Sequence, residues 1–132
     1  MSIKKYVIKI NTNRKNQIID ITNKISSLLQ GIKDQIITIS VAHTTAGITI
    51  NENYDPDVKT DMIYSLNKIS PDYKQFKHME GNSDAHIKAT LVGRTEQIAV
   101  INERLDLGRW EGVYFCEFDG PRNREIWIYI IK

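Results

Sequence analysis

The stretch from Arg124 to Ile131 constrains the fold of this chain more than any other. It alternates with period two: Ile126, Ile128 and Ile130 fall on one side, and Trp127, Tyr129 and Ile131 on the other. An edge strand with one solvated face would carry polar residues on that face. Apolar residues on both faces predict a central strand, or one whose second face meets another subunit. A sheet must therefore form around this segment.

Strand signals elsewhere supply its neighbours. Residues 3–10 set Tyr6, Ile8 and Ile10 against Lys5 and Lys9, and Gln17–Ile21 is a short apolar run. Gln35–Ala42 is rich in β-branched residues, and Gly47–Asn51 repeats the pattern after the polar break His43-Thr44-Thr45. Thr95–Ile101 and Gly112–Phe118 complete the set.

Three helices are expected between the strands. Thr22 is read as the cap of a helix with Ile25, Leu28 and Leu29 on one face and Gly31 at its end. Asp55-Pro56 starts a second, because Asp caps free N–H groups and Pro at the first position gives up a donor that the helix does not use. Val58, Met62, Leu66 and Ile69 mark its apolar face, up to Ser70-Pro71. In the third case Ala85, Ile87, Ala89 and Leu91 alternate as a strand would, yet Ser83 as a cap, two alanines and Gly93 favour a short helix. With no internal repeat or linker, residues 1–132 make one α+β domain of seven or eight strands and about three helices.

The bulk chemistry excludes some partners. A chain of 132 residues buries roughly two thirds of its unfolded surface without staples. The net charge is only +2 and the basic residues are scattered, so neither nucleic acid nor a membrane surface is an expected partner. Cys116 has no partner for an internal disulfide and sits among Val113, Tyr114, Phe115 and Phe118, which makes it a small buried hydrophobe. No apolar run is long enough for a signal peptide or a membrane span, and a cytoplasmic location is expected.

Reactive side chains concentrate between His78 and Gly93, which holds two of the three histidines. With His43 they make the ligand count of an open catalytic zinc site, the fourth position being left to water or substrate. With Ser83 as the cap, His86 occupies the third helical position, where the helix dipole keeps an imidazole neutral as a ligand must be. Gly81-Asn82-Ser83 opens that helix, and its free backbone N–H groups suit phosphate or carboxylate; the bland reading is that Ser83 simply caps it. Glu52 is either a surface residue or the partner that orients a ligating imidazole. Glu117 and Asp119, two apart, share a face where carboxylates can share a proton or hold a cation, and Arg122 and Arg124 can clamp an anion. Equally, Asp119-Gly120-Pro121 is turn chemistry with surface ion pairs beside it.

These residues carry a resemblance. His43-Thr44-Thr45-Ala46, Asn51-Glu52, Asp55, the His78–Gly93 stretch, Leu107-Gly108 and Glu117–Arg122 stand in the order and spacing of the YjbQ-like family. The most specific segments are Glu80–His86 and Asp119–Arg122, and the likeness covers nearly the whole chain. It implies a largely antiparallel sheet, assembly as a homotrimer with pockets near subunit boundaries, and a divalent metal held by His43, His78 and His86. Zinc is the metal expected, with magnesium the alternative for a diphosphate substrate.

The activity that the resemblance implies is secondary thiamine-phosphate synthesis, which joins hydroxymethylpyrimidine diphosphate to thiazole phosphate. Glu117 and Asp119 would be its catalytic carboxylates, and Thr45, Asn51, Glu52, Ser83, Asp84 and Arg122 its substrate contacts. Metal-assisted hydrolysis and non-catalytic binding of a phosphorylated metabolite are the alternatives. The chain departs from the family pattern at Asn102-Glu103 and, around Trp110, at Arg109 and Glu111, where charge replaces neutral side chains at a pocket rim or subunit contact.

Overall fold

The computed structural model describes residues 2–131. In chain order the elements are β1 (Ile3–Asn11), β2 (Gln17–Asp20), α1 (Thr22–Ser26), β3 (Gln35–Val41), β4 (Ala46–Glu52), α2 (Pro56–Ile69) and α3 (Ser83–Val92). Then follow β5 (Thr95–Ile101), β6 (Arg104–Leu105), β7 (Glu111–Glu117) and β8 (Asn123–Ile131). The fold is α+β, and every strand pair is antiparallel.

The doubly apolar segment is central, as its pattern requires. β8 lies between β1 and β3 in a five-stranded sheet ordered β1-β8-β3-β5-β6, while β2-β7-β4 form a second sheet. Ile126, Ile128 and Ile130 meet Ile37, Ile39, Ile48, Val113 and Phe115 in the core between the sheets, and Ile21, Ile25 and Leu29 of the α1 region join them. All eleven are at most 1% exposed, so each contributes roughly the 1.5–3 kcal/mol of a fully buried apolar side chain. The other face of the small sheet carries Ile18, Tyr114 and Cys116, covered by Met62, Ile63 and Leu66 of α2 and by Ala85, Ala89 and Val92 of α3. The order is thus large sheet, small sheet, helix pair. Cys116 is fully buried, and burial pushes its thiol up to about 12.

Several local expectations shift by a residue or a face. Thr22 opens α1 instead of capping it: Asp20 accepts from both the N–H and the hydroxyl of Thr22, at 2.9 and 2.6 Å. The Thr22 hydroxyl oxygen in turn accepts from the Val113 N–H, which ties the helix to β7. Asp55 caps α2 as expected, its carboxylate accepting from the Asp57 N–H at 2.9 Å. Ile69, however, is exposed, and Ile63 joins Met62 and Leu66 on the small sheet instead. β6 has too few residues to show a period, and it forms because Asn102 and Glu103 adopt positive φ in a tight turn.

The segment 83–92 is the helix α3, with Asn82 at the cap position and no side-chain cap bond. Ser83 is the first helical residue, and His86 therefore stands one position further along than expected, its N–H reaching the Asn82 carbonyl. The strand-like alternation fails because Lys88 is the buried residue: it is 1% exposed, its Nζ donating to Asn67 Oδ1 at 2.5 Å and lying 3.7 Å from Asp84 Oδ2.

Candidate functional site

Three strand ends and the start of α3 converge at one corner of the sandwich. In register, Glu117 at the end of β7 faces Ala46 at the start of β4, and Arg124 begins β8 beside it. Glu117 is fully buried and makes a two-point ion pair with Arg124. It also accepts from the Thr12 hydroxyl at 2.7 Å and the Asp119 N–H at 3.0 Å. Arg124 passes the link to Thr45, donating to its hydroxyl at 2.8 Å. Burial alone would raise the Glu117 carboxyl, but the bonds from Arg124, Asp119 N–H and Thr12 outweigh it and hold the group below the usual range.

A second pair forms two residues on. Asp119 accepts from Arg122 at 2.7 Å and from the Asn82 amide at 2.8 Å, which fastens the turn to the start of α3. Here too burial opposes ionisation, and the Asn82 and Arg122 bonds overcome it. The two carboxylates do not share a proton or a cation: each has its own arginine. Arg122 Nε and one Nη engage Asp119, which leaves Nη1 free to donate elsewhere.

Between these pairs and α3 opens a cavity of about 370 Å³ walled by His43, His78, His86, Thr45, Asn82 and Arg122, among others. All three histidines line this cavity. His78 and His86 stand edge to face with ring centres 5.2 Å apart. His43, between β3 and β4, accepts from the Glu125 N–H at its Nε2, at 2.9 Å. A nitrogen that accepts carries no proton, so neutral His43 holds its hydrogen on Nδ1. Burial and then Arg124 lower the pKa of His43, which keeps this neutral donor form at neutral pH. With one lone pair committed to Glu125 and the other nitrogen protonated, His43 as placed does not fit as a third metal ligand. Among the described residues no three His, Cys, Asp or Glu side chains are grouped to hold a metal ion.

The other expected site residues lie elsewhere. Thr45 and Arg122 line the cavity, while Glu117 and Asp119 stand behind the wall and hold its arginines. Asp84 points into the interior, its Oδ2 bound to Lys15 at 2.9 Å, and Ser83 does not line the cavity. Asn51 and Glu52 occupy the far end of β4, roughly 23 Å from Thr45 at the rise of an extended strand. There Glu52 contributes its carbonyl to the Tyr114 hydroxyl and its carboxylate to the Asp55 N–H. Arg109, Trp110 and Glu111 do not line the cavity either; Arg109 lies over the Trp110 ring and Glu111 accepts from the Gly108 N–H.

Arg94 belongs to the region and escaped sequence reading, and Asn82 was read only for its backbone at the helix start, not for its side chain. Asn82 looked like part of a turn, and only its bond to Asp119, 37 positions away, reveals its place. Arg94 follows the α3 terminus at a close backbone crossing: Ile48 N–H donates to the Gly93 carbonyl at 3.0 Å, and a Cβ on Gly47 would come within 2.7 Å of that same oxygen.

Comparison with known proteins agrees with the arrangement of the whole chain. The UPF0047 protein of Methanocaldococcus jannaschii is 50% identical over 129 residues, covering 96% of this chain and 92% of the relative. The UPF0047 protein YugU of Bacillus subtilis is 48% identical over 124 residues, covering 92% and 94%. A crystal structure of a YjbQ/UPF0047-family protein from Clostridium acetobutylicum superposes with a TM-score of 0.92 at 47% identity, covering 96% of this chain and 99% of that one. A YbjQ-like protein of unknown function from Sulfolobus solfataricus superposes with a TM-score of 0.91 at 30% identity, covering 98% and 96%. With the family model for UPF0047 protein YjbQ-like matching residues 6–132, this chain belongs to the YjbQ-like UPF0047 family.

Proposed function

We propose that the cavity binds the phosphate of a small phosphorylated molecule and that the protein acts on it as an enzyme. The observation that carries this reading is the set of donors on one cavity: Arg122 with a free Nη1, His43 in its Nδ1–H form, and His86 beside the start of α3. Thiamine-phosphate synthesis is the finer form of the proposal. Loss of diphosphate gathers negative charge on the departing oxygen, and donors fixed in place before the reaction stabilise that charge at no cost in reorganisation. Glu117 and Asp119 serve as positioning residues that aim Arg124 and Arg122.

A second reading, a dependence on zinc or magnesium, draws on the contact between His78 and His86. His43 keeps its Nε2 for the Glu125 N–H, which leaves His78 and His86 as the imidazoles that would hold such an ion. Calorimetry with inorganic phosphate, with and without zinc or magnesium, is coupled to an assay for thiamine phosphate from its two precursors. Phosphate binding that Arg122→Ala weakens about tenfold, with product formed, supports the proposal. Binding without turnover would leave a metabolite-binding protein; release of phosphate from simple phosphoesters would leave a hydrolase. No phosphate binding at all sinks the site.

Homotrimeric assembly is proposed alongside. What supports it is the outer face of the large sheet, where Val7, Ile36, Ile101 and Ile131 are between 45% and 51% exposed. Sedimentation at micromolar concentration should give three times 15.2 kDa; a single 15.2 kDa species would exclude the trimer.

A further inference from the structure

The phosphate cavity has a neighbour. A second cavity of about 570 Å³ adjoins it, and the two share Ala42, His43, Thr44 and His86 as a common waist. Their chemistries differ. The first is polar, with Arg122, Arg124, Asn82 and Thr45 in its wall and one carboxylate, Glu80, near His78 at 3.9 Å. The second has a floor of small apolar side chains, Val41, Ala46 and Ala89, with Thr90 and Arg94 at its margin. Val41 and Ala46 are at most 1% exposed, so the floor is part of the rigid core.

Arg94 differs from the arginines of the first cavity. Arg122 and Arg124 each face a carboxylate, whereas Arg94 donates from Nε and one Nη to the Ser40 hydroxyl, at 3.2 and 3.0 Å. Among the described residues no carboxylate lies within ion-pair distance of it. Ser40 fixes the guanidinium without neutralising it, and Nη1 stays free. Such a group, held by a neutral partner beside an apolar floor, is suited to a ligand's anion. The two volumes each fall in the range of small-molecule sites.

We propose that the two cavities are lobes of one site for a ligand with two acidic ends. Its phosphate sits in the Arg122 lobe, a flat uncharged body crosses the waist onto Ala46 and Ala89, and a second phosphate or carboxylate meets Arg94. The inference rests on the phosphate reading above and adds the body and the second anion to it. Thr90 and Arg94 then set specificity without taking part in phosphate capture.

Three probes separate the parts: inorganic phosphate, phenyl phosphate and 4-carboxyphenyl phosphate, titrated calorimetrically into the wild-type protein and three variants. In the wild type, phenyl phosphate should bind about tenfold tighter than inorganic phosphate, and 4-carboxyphenyl phosphate about tenfold tighter again, each step a fraction of what full burial or a charged pair can give. Thr90→Phe, at an exposed helical position where the larger ring fills the apolar lobe, should erase both advantages and leave inorganic phosphate unchanged. Arg94→Gln should erase only the advantage of the carboxylate. Arg122→Ala should weaken all three probes.

Failure is separable. If inorganic phosphate does not bind the wild type, the phosphate reading falls and this one with it. If phosphate binds but the three probes bind alike, or Thr90→Phe leaves the larger probes unaffected, the two-lobed site is overturned while the phosphate site stands.

Discussion

Two carboxylate–arginine pairs occupy one turn and are built alike, yet they do opposite work. Glu117–Arg124 has side chains 0% and 5% exposed; Asp119–Arg122 has 17% and 47%. Once desolvated, the first pair holds β7, β8, Thr12 and Thr45 in one arrangement, and removing either partner would strand a charge in the interior. The second is half in water, so its Coulomb attraction is weak and Arg122 can turn part of its donor set to a ligand. Burial, not residue type, assigns one pair to architecture and leaves the other open to the recognition proposed for it.

The largest effect should come from breaking the buried pair. Glu117→Gln or Arg124→Met should lower the unfolding free energy by about 3–5 kcal/mol, read from denaturant midpoints. The double variant Glu117→Leu/Arg124→Leu should be more stable than either single charge removal, because no lone charge remains. If the single variants cost no more than an ordinary surface substitution, the contrast between the pairs collapses. Next in size, Asp119→Asn should leave the unfolding midpoint nearly unmoved while weakening phosphate binding several-fold, since Arg122 loses its aim. An equal loss in both measurements would make Asp119 structural.

Acid should sharpen the contrast further. The carboxyl of Glu117 is depressed in the folded protein, so its contribution is complete above the ordinary range near pH 4.5 and is lost as pH falls through its lower folded value. Wild-type stability should therefore drop below about pH 4.5 more steeply than that of Glu117→Gln. The smallest effect belongs to His43. Its folded pKa lies below 6.5, so the unfolded chain binds the extra proton first, and stability declines as pH falls from 6.5 toward that lower value. His43→Gln should flatten this shallow slope, and an imidazole titration by NMR should place the midpoint below 6.5. A midpoint above 6.5 would mean that His43 is charged where donation from a neutral ring is proposed.

Most of the fold was readable from residue order, because alternation in β1 and β8 and runs of apolar or β-branched residues in β2, β3, β4, β5 and β7 mark the strands. What escaped reading depends on contacts distant in sequence. β6 is two residues long, Ile69 and Ile63 are both apolar and only the seating of α2 selects between them, and Lys88 carries no local mark of a buried lysine. At the site, the clustering of His43, His78 and His86 followed from the family resemblance, while no spacing in the chain could have shown that Glu125 occupies His43 Nε2. Asn51 and Glu52 illustrate the reverse error: a polar pair at the end of the right strand, but at the wrong end.

Lys88 makes the helix layer self-reporting. Its ammonium is almost wholly enclosed by Asn67, Asn16 and Asp84, and burial lowers its pKa against the pull of Asp84. An amine-acylating reagent can reach it only when α3 lifts from α2, so the rate at which Lys88 is labelled counts those openings directly. Exposed lysines such as Lys74 and Lys77 would be modified at once and serve as the internal clock against which that slow labelling is timed. Since α3 carries His86 and starts beside Asn82, a ligand seated at the cavity should slow the labelling of a residue it never touches.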